Sequence, residues 1–323
     1  VTATRPPRAL ITGITGQDGS FLAEQLLARG YVVTGVTRRG PGDDLGLAEP
    51  HRAAIGWLHG DLTDPATLAA IVDAAPDELY HLGAPTFVAD SWERPTDAMA
   101  AIYGSTAALL GTVTAHLAGC RMFVAGSSEM FGDAPTSPQD ERTECRPRNP
   151  YATAKLAAHQ LVGQWRSRTG GFAVSGILFN HESERRPARF VSRKITLAVA
   201  EITLGRRDRL QLGDLSAVRD WSYAADIMHG AWLSLQHERP DDYVFASGIA
   251  HTVADFVAAA FAHTGLDPDQ YVSIDPGLVR ATETIASVGD PRRAREMLGW
   301  QPTIDYAQMV GRMVDADIAT LRG

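Results

Sequence analysis

A chain of 323 residues, 45% of them apolar, can build a sizeable core, and its length fits about two domains. Its net charge of −8 argues against a nucleic-acid binder, which would carry a basic stripe, and against attraction to anionic membranes. No apolar run approaches the roughly 18 residues that span a bilayer, residues 1–8 hold no apolar leader, and Cys120 and Cys145 give no disulfide framework or metal-ligand pattern, so a metal-free protein of the reducing cytoplasm is expected.

Apolar runs at 9–12, 31–37, 55–59, 78–82, 121–125 and 172–179 read as strands. Helical patterns over 20–29, 64–75, 96–118 and 150–168 lie between most of them, and residues 39–56 read as a loop. Strands alternating with helices need crossover connections, which predicts an α/β fold with a Rossmann-type, doubly wound parallel sheet. After Phe179 helical patterns dominate, at 188–204, 223–236, 252–264, 291–298 and 304–317. Short strand-like runs fall at 208–212, 242–246 and 271–274. The expected division is a dinucleotide-binding domain, 1–179, and a smaller, mostly helical substrate lobe, 180–323, with 215–246 open to a return to the first domain.

Gly13-Ile-Thr15-Gly16-Gln17-Asp18-Gly19 follows the first strand and opens the first helix. Glycines there permit a tight turn and bring backbone N–H groups to a pyrophosphate at the helix N-terminus. The alternative is a plain strand–turn–helix that binds nothing, and the strand-to-helix setting disfavours it. At the end of the second strand, where NAD sites place an acid, stand Arg38 and Arg39. Two guanidiniums suit a 2′-phosphate, so NADP is the expected cofactor. Asp43 and Asp44 in the following loop keep NAD open. Asp61 and Leu62, after the third strand, are placed to flank the adenine. Leu82 and Ala84, after the fourth, are placed to support the middle of the cofactor.

Ser127 and Glu129 sit past the fifth strand, at the carboxyl edge where open α/β sheets bind ligands. The hydroxyl can hydrogen-bond a substrate oxygen under oxidation, and the carboxylate can move a proton at carbon. Ser-rich strand ends are also common turns, so this segment alone does not decide. The sharpest feature is Asn149-Pro150-Tyr151-Ala-Thr-Ala-Lys155. Asn and Pro suit the cap and first turn of a helix, which puts Tyr151 and Lys155 on one face. A nearby ammonium is expected to lower the phenol's pKa and make Tyr151 a base near neutral pH. Of the 30 basic residues, only Lys155 and Lys194 are lysines. Lysine, unlike arginine, can lower its pKa and act as a compact point charge.

Taken together, these residues resemble the extended short-chain dehydrogenase/reductases, and within them the GDP-mannose 4,6-dehydratase family, over nearly the whole chain. The carriers are residues 9–20, Ser-Ser-Glu-Met-Phe-Gly at 127–132, Gly-Ile-Leu-Phe-Asn-His-Glu-Ser at 176–183, Ser-Arg-Lys-Ile at 192–195 and Val-Arg-Asp-Trp at 218–221. The resemblance implies Tyr151 as base, Lys155 as its partner, Ser127 as the hydroxyl and Glu129 as a second acid/base. It implies that His181 and Arg186 touch NADP and that Thr86 lies beside both cofactor and sugar. Asn180, Lys194, Arg219 and Arg280 match positions that hold the sugar nucleotide, mainly its diphosphate, and Glu283 is placed to join them.

The implied reaction on a GDP-sugar is C4 oxidation, C5 deprotonation with loss of water from C6, and return of hydride to C6. A homo-oligomer, dimer or tetramer, is implied as well. Three segments depart from the family. Residues 40–51 lack the Ser, Asn and Arg content of an arm that reaches a neighbouring subunit. Ile102-Tyr103 replaces a polar or glycine-bearing stretch, and Glu184 and Pro187 replace proline and glycine beside the sugar, which leaves the sugar open. Two other readings compete. A GDP-sugar 4-epimerase shares the C4 oxidation, but needs no base at C5 and so leaves Glu129 without a task. A non-catalytic dinucleotide sensor predicts a degraded Tyr/Lys pair, and the pair is intact.

Overall fold

The computed structural model describes residues 5–38, 46–47, 49–278 and 286–323. Arg39, Asp43, Asp44, Arg280 and Glu283, singled out above, lie outside the described residues.

The first half alternates as its apolar runs dictate: β1 (Arg8–Thr12), α1 (Gln17–Ala28), β2 (Val32–Thr37), α2 (Glu49–Ala54), β3 (Gly56–His59), α3 (Pro65–Ala74) and β4 (Glu78–His81). Then come α4 (Asp90–Glu93), α5 (Pro95–Met99), a π-turn (Ala100–Gly104), α6 (Ser105–His116), β5 (Arg121–Ala125), α7 (Pro150–Thr169) and β6 (Ala173–Leu178). Helices cover both faces of a parallel sheet, so Leu10, Ile11, Leu79, Tyr80, Met122 and Phe123 are buried as continuous runs rather than on alternate positions.

Two expectations need correction. The stretch 39–56 is not wholly a loop, because Glu49–Ala54 is helical; six residues with none buried are too few to show an apolar period. And α5, the π-turn and α6 form one helix, Pro95–His116, long and apolar enough by length and composition to cross a bilayer. Asp97, Tyr103 and Ser105 break up its apolar residues, so no continuous apolar run marks it, while its length agrees with the helical pattern over 96–118. The helix packs against α7, and α6 also touches α3.

The remainder comprises β7 (Asn180–Glu182), α8 (Val191–Thr203), β8 (Leu210–Leu212), β9 (Val218–Arg219), β10 (Trp221–Tyr223), α9 (Ala224–Gln236) and β11 (Asp242–Phe245). Last come β12 (His251–Thr252), α10 (Val253–Thr264), β13 (Val272–Ile274), α11 (Arg292–Leu298) and α12 (Tyr306–Arg322). The main sheet has seven strands in the order β3-β2-β1-β4-β5-β6-β11, all pairs parallel. Its direction of winding reverses between β1 and β4, and a crevice opens outside the carboxyl ends of strands at such a switch point. The seventh strand comes from late in the chain, and α9 packs on α1. The short pairs β10–β7, β12–β9 and β13–β8 carry the remaining strands, beside the packed helices α8, α10 and α12.

Asp220 ties these short pairs to the main sheet. It is fully buried and accepts from Ser247 N at 2.8 Å, Ser247 Oγ at 2.7 Å, Gly248 N at 2.8 Å and Gly289 N at 3.2 Å. Burial pushes its carboxyl above the ordinary range, and these donors pull it back. The knot fixes Trp221 in the core and Arg219 at the cleft described below. Asp220→Ala strands those donors, the buried Gly289 N among them, so urea unfolding should show a loss of about 3 kcal/mol or more. A loss below about 1 kcal/mol would mean that other groups satisfy them.

Candidate active site

The turn between β1 and α1 sits at the switch point. Gly13 has φ +71°, and a Cβ there would lie 2.7 Å from Gly83 Cα, so the chain after β4 can approach only a glycine. A Cβ at Gly19 would run into Gly13 O and Ile14 Cα. Gly16 caps α1 without a side-chain bond, so the first-turn N–H groups face the crevice with no side chain in their way. That shape fits a dinucleotide pyrophosphate.

The flanking side chains are held from far along the chain. Gln17 Oε1 accepts from Ser183 Oγ at 2.8 Å, and Gln17 Nε2 donates to His181 O at 3.1 Å. Asp18 Oδ2 lies 3.0 Å from His181 Nε2, and His181 Nδ1 lies 2.7 Å from Phe179 O. Both partners of the imidazole are acceptors, so both ring nitrogens carry protons. Burial lowers the His181 pKa, but the charge and hydrogen bond of Asp18 outweigh it and raise the pKa above the ordinary value. Burial likewise pushes Asp18 up, and His181 with Gln17 overcomes that and brings it to about 2. Asp18 and His181 therefore form an ion pair. It is lost as pH falls through about 2 or rises through the raised His181 value. In Asp18→Asn burial and the Arg186 charge are opposed by the Phe179 bond without the Asp18 charge, so the His181 imidazole should titrate below its value in the parent, as NMR would show. An unchanged titration would remove Asp18 as the cause.

Toward the adenosine end, Arg38 projects from the carboxyl end of β2, 3.7 Å from Asp61 Oδ2, and its side chain is 69% exposed. Asp61 accepts from Thr63 N at 3.0 Å and Thr63 Oγ1 at 2.7 Å, while Leu62 is partly buried. Thr15 and Leu82 are partly buried at the turns after β1 and β4, and Thr86 is exposed. Ala84 packs with Ile102 of the π-turn against Tyr151. Ile102, one of the departures, is thus the apolar wall of the phenol. Arg186 lays its guanidinium 3.6 Å from the Phe190 ring and keeps Nε 3.1 Å from Glu182. The departing Glu184 accepts from the Tyr223 hydroxyl at 3.3 Å.

Ser127, Glu129, Tyr151 and Lys155 converge past β5. Ser127 Oγ accepts from Glu129 N at 3.2 Å, which caps the 3-10 turn Ser128–Met130. Its hydroxyl also bonds the Tyr151 phenol. Asn149 caps α7, its Oδ1 accepting from Ala152 N at 2.8 Å, and so sets Tyr151 and Lys155 in the first two turns. One expectation fails here. Burial pushes the Tyr151 phenol up to about 12, the Ser127 bond pulls down, and the Glu129 charge pushes up again. The Lys155 ammonium, which donates to Ala125 O at 2.6 Å with Nζ 5.8 Å from the ring centre, does not offset that burial. Burial lowers Lys155 itself to about 8.

Beside Glu129 a cleft is lined by Ser128, Asp133, Arg148, Asn149, Arg219 and Ser287, among others. Lys194 is not in that lining; its Nζ donates to Gln211 O at 2.8 Å, off α8. Asn180 stands on β7, paired with Trp221. Arg148, 3.2 Å from Asp133, was not singled out by the sequence, although it directly precedes the Asn-Pro-Tyr segment.

A glycine turn at the switch point, with serine, tyrosine and lysine converging beside it, defines a nucleotide-dependent enzyme of the short-chain dehydrogenase/reductase class. The chain belongs to the GDP-mannose 4,6-dehydratase family, whose model matches residues 10–313. It is similar to GDP-mannose 4,6 dehydratase 2 of Arabidopsis thaliana, 43% identical over 323 residues, with 96% of this chain and 86% of that one covered. It is also 39% identical to GDP-mannose 4,6 dehydratase of Homo sapiens over 343 residues, covering 97% and 92%. Among solved structures, RMD from Pseudomonas aeruginosa complexed with NADPH shares the fold, with a TM-score of 0.84 at 22% identity and coverage of 97% and 99%.

Proposed function

We propose that this chain is an NADP-dependent GDP-sugar 4,6-dehydratase. The observation that carries the reading is a carboxylate, Glu129, that lines a cleft and lies close enough to Tyr151 to raise its pKa, in a chain of a dehydratase family. Ser127 and Tyr151 hold the C4 hydroxyl, and Tyr151 takes its proton. Lys155 adds a positive charge behind the phenol. A nicotinamide cofactor held at the glycine turn between β1 and α1 would supply the hydride chemistry, accepting hydride from C4 and returning it to C6. With C4 a ketone, the C5 hydrogen becomes acidic; Glu129 removes it as a proton and gives that proton to the C6 hydroxyl, which leaves as water, and C5 regains a proton from solvent once C6 is reduced.

The lobe from Asn180 onward, through Arg219, supports the diphosphate of the GDP-sugar. The reading includes a homo-oligomer in the cytoplasm; the free thiols Cys120 and Cys145 suit a reducing setting.

Mass spectrometry after incubation with a panel of GDP- and UDP-sugars tests the reaction: a product lighter by one water supports it. An isomer of unchanged mass would point to a 4-epimerase instead. Cofactor choice has its own test. Arg38→Ala should weaken NADP binding roughly 10- to 100-fold and NAD binding little, measured by titration. Equal losses for both would take Arg38 away from the 2′-phosphate.

A further inference from the structure

Capping α7 uses only half of the Asn149 side chain. Its backbone is extended, φ −146° and ψ 160°, and Oδ1 accepts from Ala152 N at 2.8 Å. Any short side chain with an oxygen does that, and serine or aspartate serves as well as asparagine. The other half of the amide is what serine cannot supply: Nδ2 donates to Glu129 Oε2 at 3.2 Å. The amide's orientation follows from chemistry. Ala152 N–H can only donate, so the oxygen faces it and the nitrogen must face Glu129.

The two ends of this side chain join different parts of the site. One holds the first turn of the helix that carries Tyr151 and Lys155. The other holds the carboxylate on the turn after β5, whose backbone is already tied to Ser127. Asn149 also lines the cleft beside Glu129.

We propose that Asn149 is a positioning residue for the elimination step, aiming the Glu129 carboxylate at C5. This rests on the dehydratase reading above. The amide N–H holds the carboxylate in place, whereas a second carboxylate there would repel it. Asn149 thereby sets the elimination apart from the C4 oxidation, which uses Ser127 and Tyr151.

Asn149→Asp and Asn149→Ser separate the two halves, because both keep the cap oxygen and so the helix start. Single turnovers of the NADP-loaded enzyme with GDP-mannose in heavy water give two readouts. Reduced-nicotinamide absorbance reports C4 oxidation, and water loss with deuterium at C5 reports elimination. For Asn149→Asp we expect elimination to fall roughly 10- to 100-fold with C4 oxidation within about threefold, so that a 4-keto sugar accumulates. Asn149→Ser, which loses the donor but adds no charge, should fall between this and the parent. Both steps dropping in the same ratio in both variants would reduce Asn149 to a helix cap and overturn the proposal, as would elimination at parental rate. If the parent enzyme itself neither lost water nor took up deuterium at C5, the dehydratase reading would fail, and the proposal with it.

Discussion

Tyr151→Phe should lower turnover by roughly 10²- to 10⁴-fold while cofactor titrations change little. The phenol hydroxyl is the proton acceptor for the C4 alcohol, and the ring itself belongs to an apolar cluster with Ile102, Ala154 and Ala158. Phenylalanine keeps that packing. It loses the bond to Ser127 and the acceptor together, so the deficit should appear in the first chemical step, seen as slow formation of reduced nicotinamide. The resting phenol stands at about 12, so the enzyme must acidify it when substrate and cofactor are present. For that reason the pH profile should resolve an ionisation of the parent enzyme that the variant lacks. Turnover within about threefold of the parent would place the base elsewhere.

The second large effect belongs to Glu129→Gln. Glutamine is nearly isosteric, still presents an oxygen to Asn149 Nδ2, and cannot accept the C5 proton. Water loss should drop roughly 10²-fold or more while C4 oxidation continues, so that reduced nicotinamide forms and persists. The opposite pattern, with both steps intact, would leave the carboxylate outside the chemistry and favour the epimerase reading.

Much of this site was legible from local spacing. The glycine turn, the cap residue Asn149 and the four-residue step from Tyr151 to Lys155 are short-range patterns whose geometry a helix or turn enforces. The sheet was legible for the same reason, since its strands are apolar runs of a few residues bounded by turns. Contacts between distant segments were not legible. Asp18 meets His181, 163 residues away, and Asp220 meets Gly289, 69 away; no periodicity announces either. The state of Tyr151 was misjudged because sequence shows that Lys155 is near, but not that burial of the phenol prevails. Lys194 was set among the substrate ligands by resemblance alone, and no local spacing announces that its ammonium rests on Gln211 O. The π-turn was hidden inside a helical pattern, because one extra residue in a turn leaves the apolar spacing nearly unchanged.

The account's core is that one hydrogen leaves C4 and comes back at C6 within a single active-site visit. GDP-mannose carrying deuterium at C4 tests this directly. The expected product is lighter by one water, holds the deuterium at C6, and forms without net reduction of NADP. Deuterium appearing in released NADPH or in solvent, or a product of unchanged mass, would contradict it.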